Sequence, residues 1–188
     1  VSGEDQARLQ PAVFDRVAER VGRQLGAHRL EDADGRGLRV GLACSMFNGG
    51  VTARLLEGAL DGLEVAAVDR RDVTVVWVPG AFELPLAAQR LAAGGQDAVV
   101  CLGAVIRGET AHFDLVANGC ATGLSRVALD AGVPVVLGVL ATEDLDQALE
   151  RSRPDTTNKG WEAALSAVHL ASVLRAVPSS AARRAGAG

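Results

Sequence analysis

Aromatic side chains are scarce: the 188 residues include no tyrosine, four phenylalanines and two tryptophans. The core must therefore be built from the alanine, valine and leucine that dominate the 48% apolar content. Cysteine is also rare. Cys44, Cys101 and Cys120 are odd in number and widely separated, which excludes a disulfide framework and fits buried, reduced thiols. His28, His112 and His169 form no pair at metal-ligand spacing, so a zinc or iron site is not expected. No apolar run approaches the ~20 residues that span a bilayer. The early segment Gly3-Glu4-Asp5 lacks the charged-then-apolar pattern of a targeting peptide, which points to a cytoplasmic protein with no membrane partner. Charge of one sign is missing too: 19 basic and 23 acidic residues are interspersed for a net −4. That leaves no basic stripe for nucleic acid.

What is present is an alternation of period. Val13, Val17, Ala18, Val21 and Leu25 share one face of a helix beginning at Pro11, and the polar stretch Glu31–Gly37 reads as a linker. Residues 1–37 thus form an N-terminal extension, residues 38–177 an α/β domain, and residues 178–188, rich in Ser, Ala, Arg and Gly, a disordered tail. Within the domain, strands are expected at Leu38–Ser45, Val73–Val78, Ala98–Gly103 and Val133–Leu140. Helices are expected at Val51–Leu63, Leu84–Ala93, His112–Ala131, Leu145–Arg151 and Asn158–Ala176. Continuous apolar strands separated by helices predict a flavodoxin-like, doubly wound α/β fold: about four parallel strands with helices on both faces.

Ligands in such folds bind beyond the carboxyl ends of the strands, where strand order reverses. The rule selects Met46–Gly50, Pro79–Glu83 and Val105–His112 as one rim. The third segment carries the most chemistry. Backbone N–H groups around Gly108, Glu109 and Thr110 would lie at a helix N-terminus, where they and the helix dipole attract an anion. His112, two residues on from Thr110, is the side chain suited to moving protons near neutral pH. Asp114 would not share its helical face, so no His–Asp dyad is expected. The bland alternatives are helix capping for Glu109 and Thr110, a first-turn charge for Glu83, and carbonyl capping for Arg151 at a helix end. Trp77 and Trp161 read as packing residues. The small-residue face Ala163, Ala164, Ala167 and Ala171 predicts close approach of another helix, within the subunit or between subunits.

Several long motifs occur in order: Phe47-Asn48 with Thr52; Val78 through Pro85; Gly103 through Asp114; Gly138-Val139-Leu140; and Asn158-Lys159-Gly160. On these motifs the chain resembles the lumazine synthase family of riboflavin biosynthesis from Leu38 to Val177. The resemblance implies a cofactor-free transferase. It would condense 5-amino-6-ribitylaminopyrimidinedione with 3,4-dihydroxy-2-butanone 4-phosphate to 6,7-dimethyl-8-ribityllumazine and phosphate. It further implies that Phe47 stacks on the pyrimidine, that Ala81, Phe82 and Glu83 hold the ribityl chain, and that Ala104, Val105 and Ile106 meet the ring through their backbone. Glu109 and Thr110, with Arg151, would take the phosphate, and His112 would transfer protons. Family sites lie between subunits of a homopentamer, so Leu137, Arg151 and Lys159 would reach in from a neighbour. Closure into an icosahedral sixty-subunit shell and association with riboflavin synthase are further partner expectations.

Two rival readings remain at this point. Leu137 stands where several family members place an aromatic ring, Pro154 interrupts a loop that is glycine-rich in shell-forming members, and the N-terminal extension is long. These departures motivate a non-catalytic lumazine- or flavin-binding, or cage-forming, paralogue. A generic phosphate- or nucleotide-binding domain is the weaker rival, because Ser45–Gly50 offers no P-loop lysine.

Overall fold

A computed structural model describes residues 34–177. The helix expected from Pro11 to Leu25 and the tail 178–188 lie outside these residues. Strands β1 (Val40–Ser45), β2 (Val73–Val78), β3 (Ala98–Ile106) and β4 (Val135–Thr142) form one parallel sheet in the order β2-β1-β3-β4. Helices α1 (Gly49–Val65), α2 (Leu84–Ala93), α3 (His112–Ala131), α4 (Leu145–Arg151) and α5 (Lys159–Ala176) connect and cover it. This is the doubly wound α/β arrangement expected from the sequence.

Several boundaries differ from the apolar runs. β3 continues past Gly103 because Ala104, Val105 and Ile106 pair with Leu140, Ala141 and Thr142. β4 starts after Pro134, which has no N–H to give a ladder; its carbonyl still accepts the Val99 N–H at 2.8 Å. β1 starts at Val40 rather than Leu38, although Leu38 is fully buried. α1 is longer than Val51–Leu63 at both ends.

Alternation along the central strands splits the core in two. Leu42, Cys44, Val100, Leu102 and Ala104 face α1 and α5, while Ala43, Val99, Cys101 and Val105 face α2 and α3. Leu42, Leu55, Leu102 and Val168 are at 0% exposure, and burying each stabilises the fold by roughly 1.5–3 kcal/mol. Burial pushes the Cys44 thiol up to about 12 and the Cys120 thiol to about 11, and raises Cys101 as well, so none supplies a thiolate at neutral pH. Trp77, expected as a packing residue, is 46% exposed because β2 is an edge strand.

Small residues let α5 approach α1. Ala163, Ala164, Ala167 and Ala171 are buried within the chain's own core, which places the expected close helix approach inside the subunit. Asn158 caps α5: its side-chain Oδ1 accepts the Gly160 N–H at 2.8 Å, and its Nδ2 donates to the carbonyls of Arg54 at 3.0 Å and Arg153 at 2.8 Å. Gly160 lies directly on the Leu55 carbonyl, where a Cβ would overlap backbone.

At the amino ends of the strands, Asp97 accepts the Arg39 N–H at 2.8 Å and pairs with Arg175 of α5 at 3.1 Å. Arg175 also donates to the Gly37 carbonyl at 3.3 Å, and Ser172 to that of Asp34 at 3.5 Å. The first and last described turns therefore meet at one end of the sheet. Gly35, within the expected linker, is already packed, with its N–H on the Ala66 carbonyl at 2.8 Å. Burial alone would raise the Asp97 pKa, but the Arg39 N–H and the Arg175 and Arg39 charges outweigh it and hold the carboxyl below its ordinary 3.8.

Two outcomes follow from this packing. Gly160→Ala is expected to destabilise the domain by about 1–3 kcal/mol through overpacking against backbone, measured by urea unfolding. Asp97→Asn is expected to be less stable than wild type at pH 7. Because the folded-state pKa is depressed, that gap is fully present above the ordinary carboxylate range and closes as pH falls through the folded-state value. A gap that stays constant from pH 7 to acid would refute the assignment to Asp97.

Candidate functional site

After β1 the chain crosses to β2 on one side, and after β3 it crosses to β4 on the other. The carboxyl ends of β1 and β3 therefore part, and a crevice opens between the diverging loops. Three hydrogen bonds fix its floor. The Met46 N–H donates to the Val78 carbonyl at 2.8 Å and the Phe47 N–H to that of Pro79 at 3.0 Å, tying the exit of β1 to the exit of β2. Asn48 adopts a left-handed conformation (φ 56°) at the start of α1, which turns its side chain across to β3, where Nδ2 donates to the Ala104 carbonyl at 2.9 Å.

Above this floor lies an open cleft of about 840 Å³, within the range of small-molecule sites. Of the residues singled out from the sequence, Phe47, Ala81, Phe82, Glu83, Val105, Ile106, Thr110 and His112 line it. Phe47 is 72% exposed and Phe82 61% exposed, so their ring faces are available to a ligand. Gly119 of α3 seats Phe82: a Cβ there would stand 2.7 Å from the ring. Glu83 sits at the N-cap position of α2 without making a capping hydrogen bond, which leaves its carboxylate free toward the cleft.

Helix α3 starts at the cleft with Ala111 as N-cap, a residue with no side-chain acceptor. Thr110 Oγ1 accepts the His112 N–H at a long 3.4 Å, so capping by Thr110 is weak and the positive end of the helix remains available to an anion. Asp114 pairs with Arg107 instead of His112, in line with the absence of a dyad.

Ala104, Glu109, Leu137, Arg151 and Lys159 do not line this cleft. Ala104 is buried with its carbonyl occupied by Asn48, and Glu109 is exposed between Gly108 and Thr110, which do line the cleft. Arg151 ends α4 and donates to the Gln147 carbonyl at 3.1 Å, Lys159 pairs with Glu162 at 2.7 Å, and Leu137 is 49% exposed on edge strand β4. The cleft also includes Gly108, expected to offer its N–H to an anion, and residues given no separate role from the sequence: Pro79, Gly80, Phe113, Leu115 and Val116. Phe113 and Val116 are three apart on the first turns of α3, a spacing visible in the sequence once α3 is known to border the site.

Fold and site together define a doubly wound α/β domain with an apolar, aromatic-walled cleft closed at one end by a helix N-terminus and a histidine. The sequence model of the 6,7-dimethyl-8-ribityllumazine synthase family matches residues 37–175. The chain belongs to that family, whose work lies in riboflavin biosynthesis. No helix among the described residues is long and apolar enough to cross a membrane.

The cleft floor is tested at Asn48. Asn48→Gly keeps the left-handed turn but loses the tie to Ala104, and is expected to cost about 0.5–1.5 kcal/mol. Asn48→Ala loses the same tie but, unlike glycine, keeps a Cβ in that conformation, and is expected to cost about 1–2 kcal/mol more than Asn48→Gly. Equal stability of the two variants in urea unfolding would contradict the strain argument.

Proposed function

We propose that this chain condenses 5-amino-6-ribitylaminopyrimidinedione with 3,4-dihydroxy-2-butanone 4-phosphate, releasing 6,7-dimethyl-8-ribityllumazine, phosphate and water. The observation that carries the proposal is the placement of His112 on one rim with both an aromatic platform, Phe47, and the uncapped start of α3. A flat heteroaromatic ring stacks on Phe47, its polyhydroxyl chain runs toward Phe82 and Glu83, and the phosphate of the second reactant lies by Gly108 and Thr110.

The chemistry suits that arrangement. The primary amine attacks the ketone and water leaves, giving an imine. Loss of the C3 proton then expels phosphate and leaves an enol, which takes up a proton at its terminal carbon to become a second carbonyl; the ribitylamino nitrogen closes on that carbonyl with loss of another water. Each step moves a proton, which His112 accepts or returns. Phosphate departure leaves a dianion at the helix terminus, where it is stabilised. Holding both reactants in one cleft removes the entropy cost of their encounter.

Arg151, Lys159 and Leu137 enter this scheme from an adjacent copy in a homopentamer. Their position away from the chain's own cleft and the exposure of Leu137 support that reading.

Purified protein mixed with both substrates is expected to raise lumazine absorbance and release phosphate well above an enzyme-free control. Background product alongside tight substrate binding would favour a binding paralogue. His112→Ala is expected to lower kcat by about 10²-fold or more with little change in KM for the phosphate substrate. Arg151→Ala should chiefly raise that KM. Equal turnover in wild type and His112→Ala removes the histidine from the mechanism.

A further inference from the structure

The loop that carries the anion-binding N–H groups, 108–111, is exposed throughout, and Gly108 faces open space. Both of its ends are gripped by one side chain that the reaction scheme does not use. Arg107, at the end of β3, donates its backbone N–H to the Thr142 carbonyl at 2.9 Å. Its guanidinium then turns back over the loop. Nη1 and Nη2 meet the two carboxylate oxygens of Asp114 at 3.3 Å each, Nε meets Glu143 at 2.7 Å, and the planar face lies 4.0 Å from the centroid of the Phe113 ring. The Asp114 bond first, with Glu143 behind it, outweighs desolvation and holds the group firmly protonated.

An arginine beside a phosphate loop invites the reading of a phosphate ligand. Here its fork and its face are already engaged, by two carboxylates and a ring, so its work lies elsewhere. We infer that Arg107 is a positioning residue: it clasps the anion loop shut by joining the end of β3 to the first turn of α3 and to the corner after β4. The clasp sets where the loop N–H groups and His112 stand relative to the phosphate without touching it. Phe113, pressed beneath the guanidinium, is itself a wall of the cleft, and so transmits the clasp to the aromatic side of the site.

The catalytic part of this inference rests on the function proposed above. Arg107→Lys is the informative variant because it keeps the charge and loses both the fork and the stacking plane. It is expected to weaken binding of inorganic phosphate and lower kcat/KM, each about tenfold, as a displaced loop would. Amide exchange is expected to rise about tenfold at Arg107, whose N–H bonds to the Thr142 carbonyl, and at Asp114 and Leu115, whose N–H groups bond to the Ala111 carbonyl at the end of the loop. The urea midpoint should stay near wild type. Wild-type phosphate affinity and exchange in Arg107→Lys would overturn the inference, and so would exchange raised throughout the domain with a lowered midpoint, which marks a merely structural residue. Glu143→Gln, which leaves the Asp114 pair in place, should shift the same local amides by less; no local shift there removes Glu143 from the clasp. If the wild type forms no lumazine, the proposed reaction fails, while the exchange measurement still decides the role of Arg107.

Discussion

The structure depends on a reversal of winding between two buried, hydrogen-bonded strands. β1 and β3 lie side by side at the centre of the sheet, yet their chains leave in opposite directions. Full burial of both strands forbids loops from crossing over them, so their carboxyl ends must part. The cleft, the aromatic platform after β1 and the helix N-terminus after β3 are consequences of that separation. Among the described residues, the side chain of Asn48 bridges it by a hydrogen bond, which explains a left-handed asparagine where the helix would otherwise have begun smoothly.

Much of the fold was legible from local pattern. Uninterrupted apolar strands can be read as buried on both faces, and helix periods changed cleanly between them. Ends were less legible, because a strand stops where its neighbour stops: Ala104–Ile106 are strand only because Leu140–Thr142 lie alongside. Trp77 is half exposed for the same kind of reason. Nothing in Val73–Val78 says that it forms an edge, and edges are fixed by strand order.

The site divides along a similar line. Phe47, Phe82, Glu83, Thr110 and His112 could be selected because each follows a strand end within a few residues. Arg107 carried no such signal. Its partners lie six residues ahead, seven ahead and beyond the next strand, and no period connects them. Leu137, Arg151 and Lys159 show the complementary limit: they lie away from the chain's own cleft, and contacts within one chain carry no information about a role at a second one.

The meeting of Asp34, Gly37, Ser172 and Arg175 at the amino ends of the strands has a further consequence. This closure lies at the opposite ends of the strands from the cleft. Exchanges at Asp97, Ser172 or Arg175 therefore act on how firmly the domain is drawn together and leave the lining of the cleft untouched.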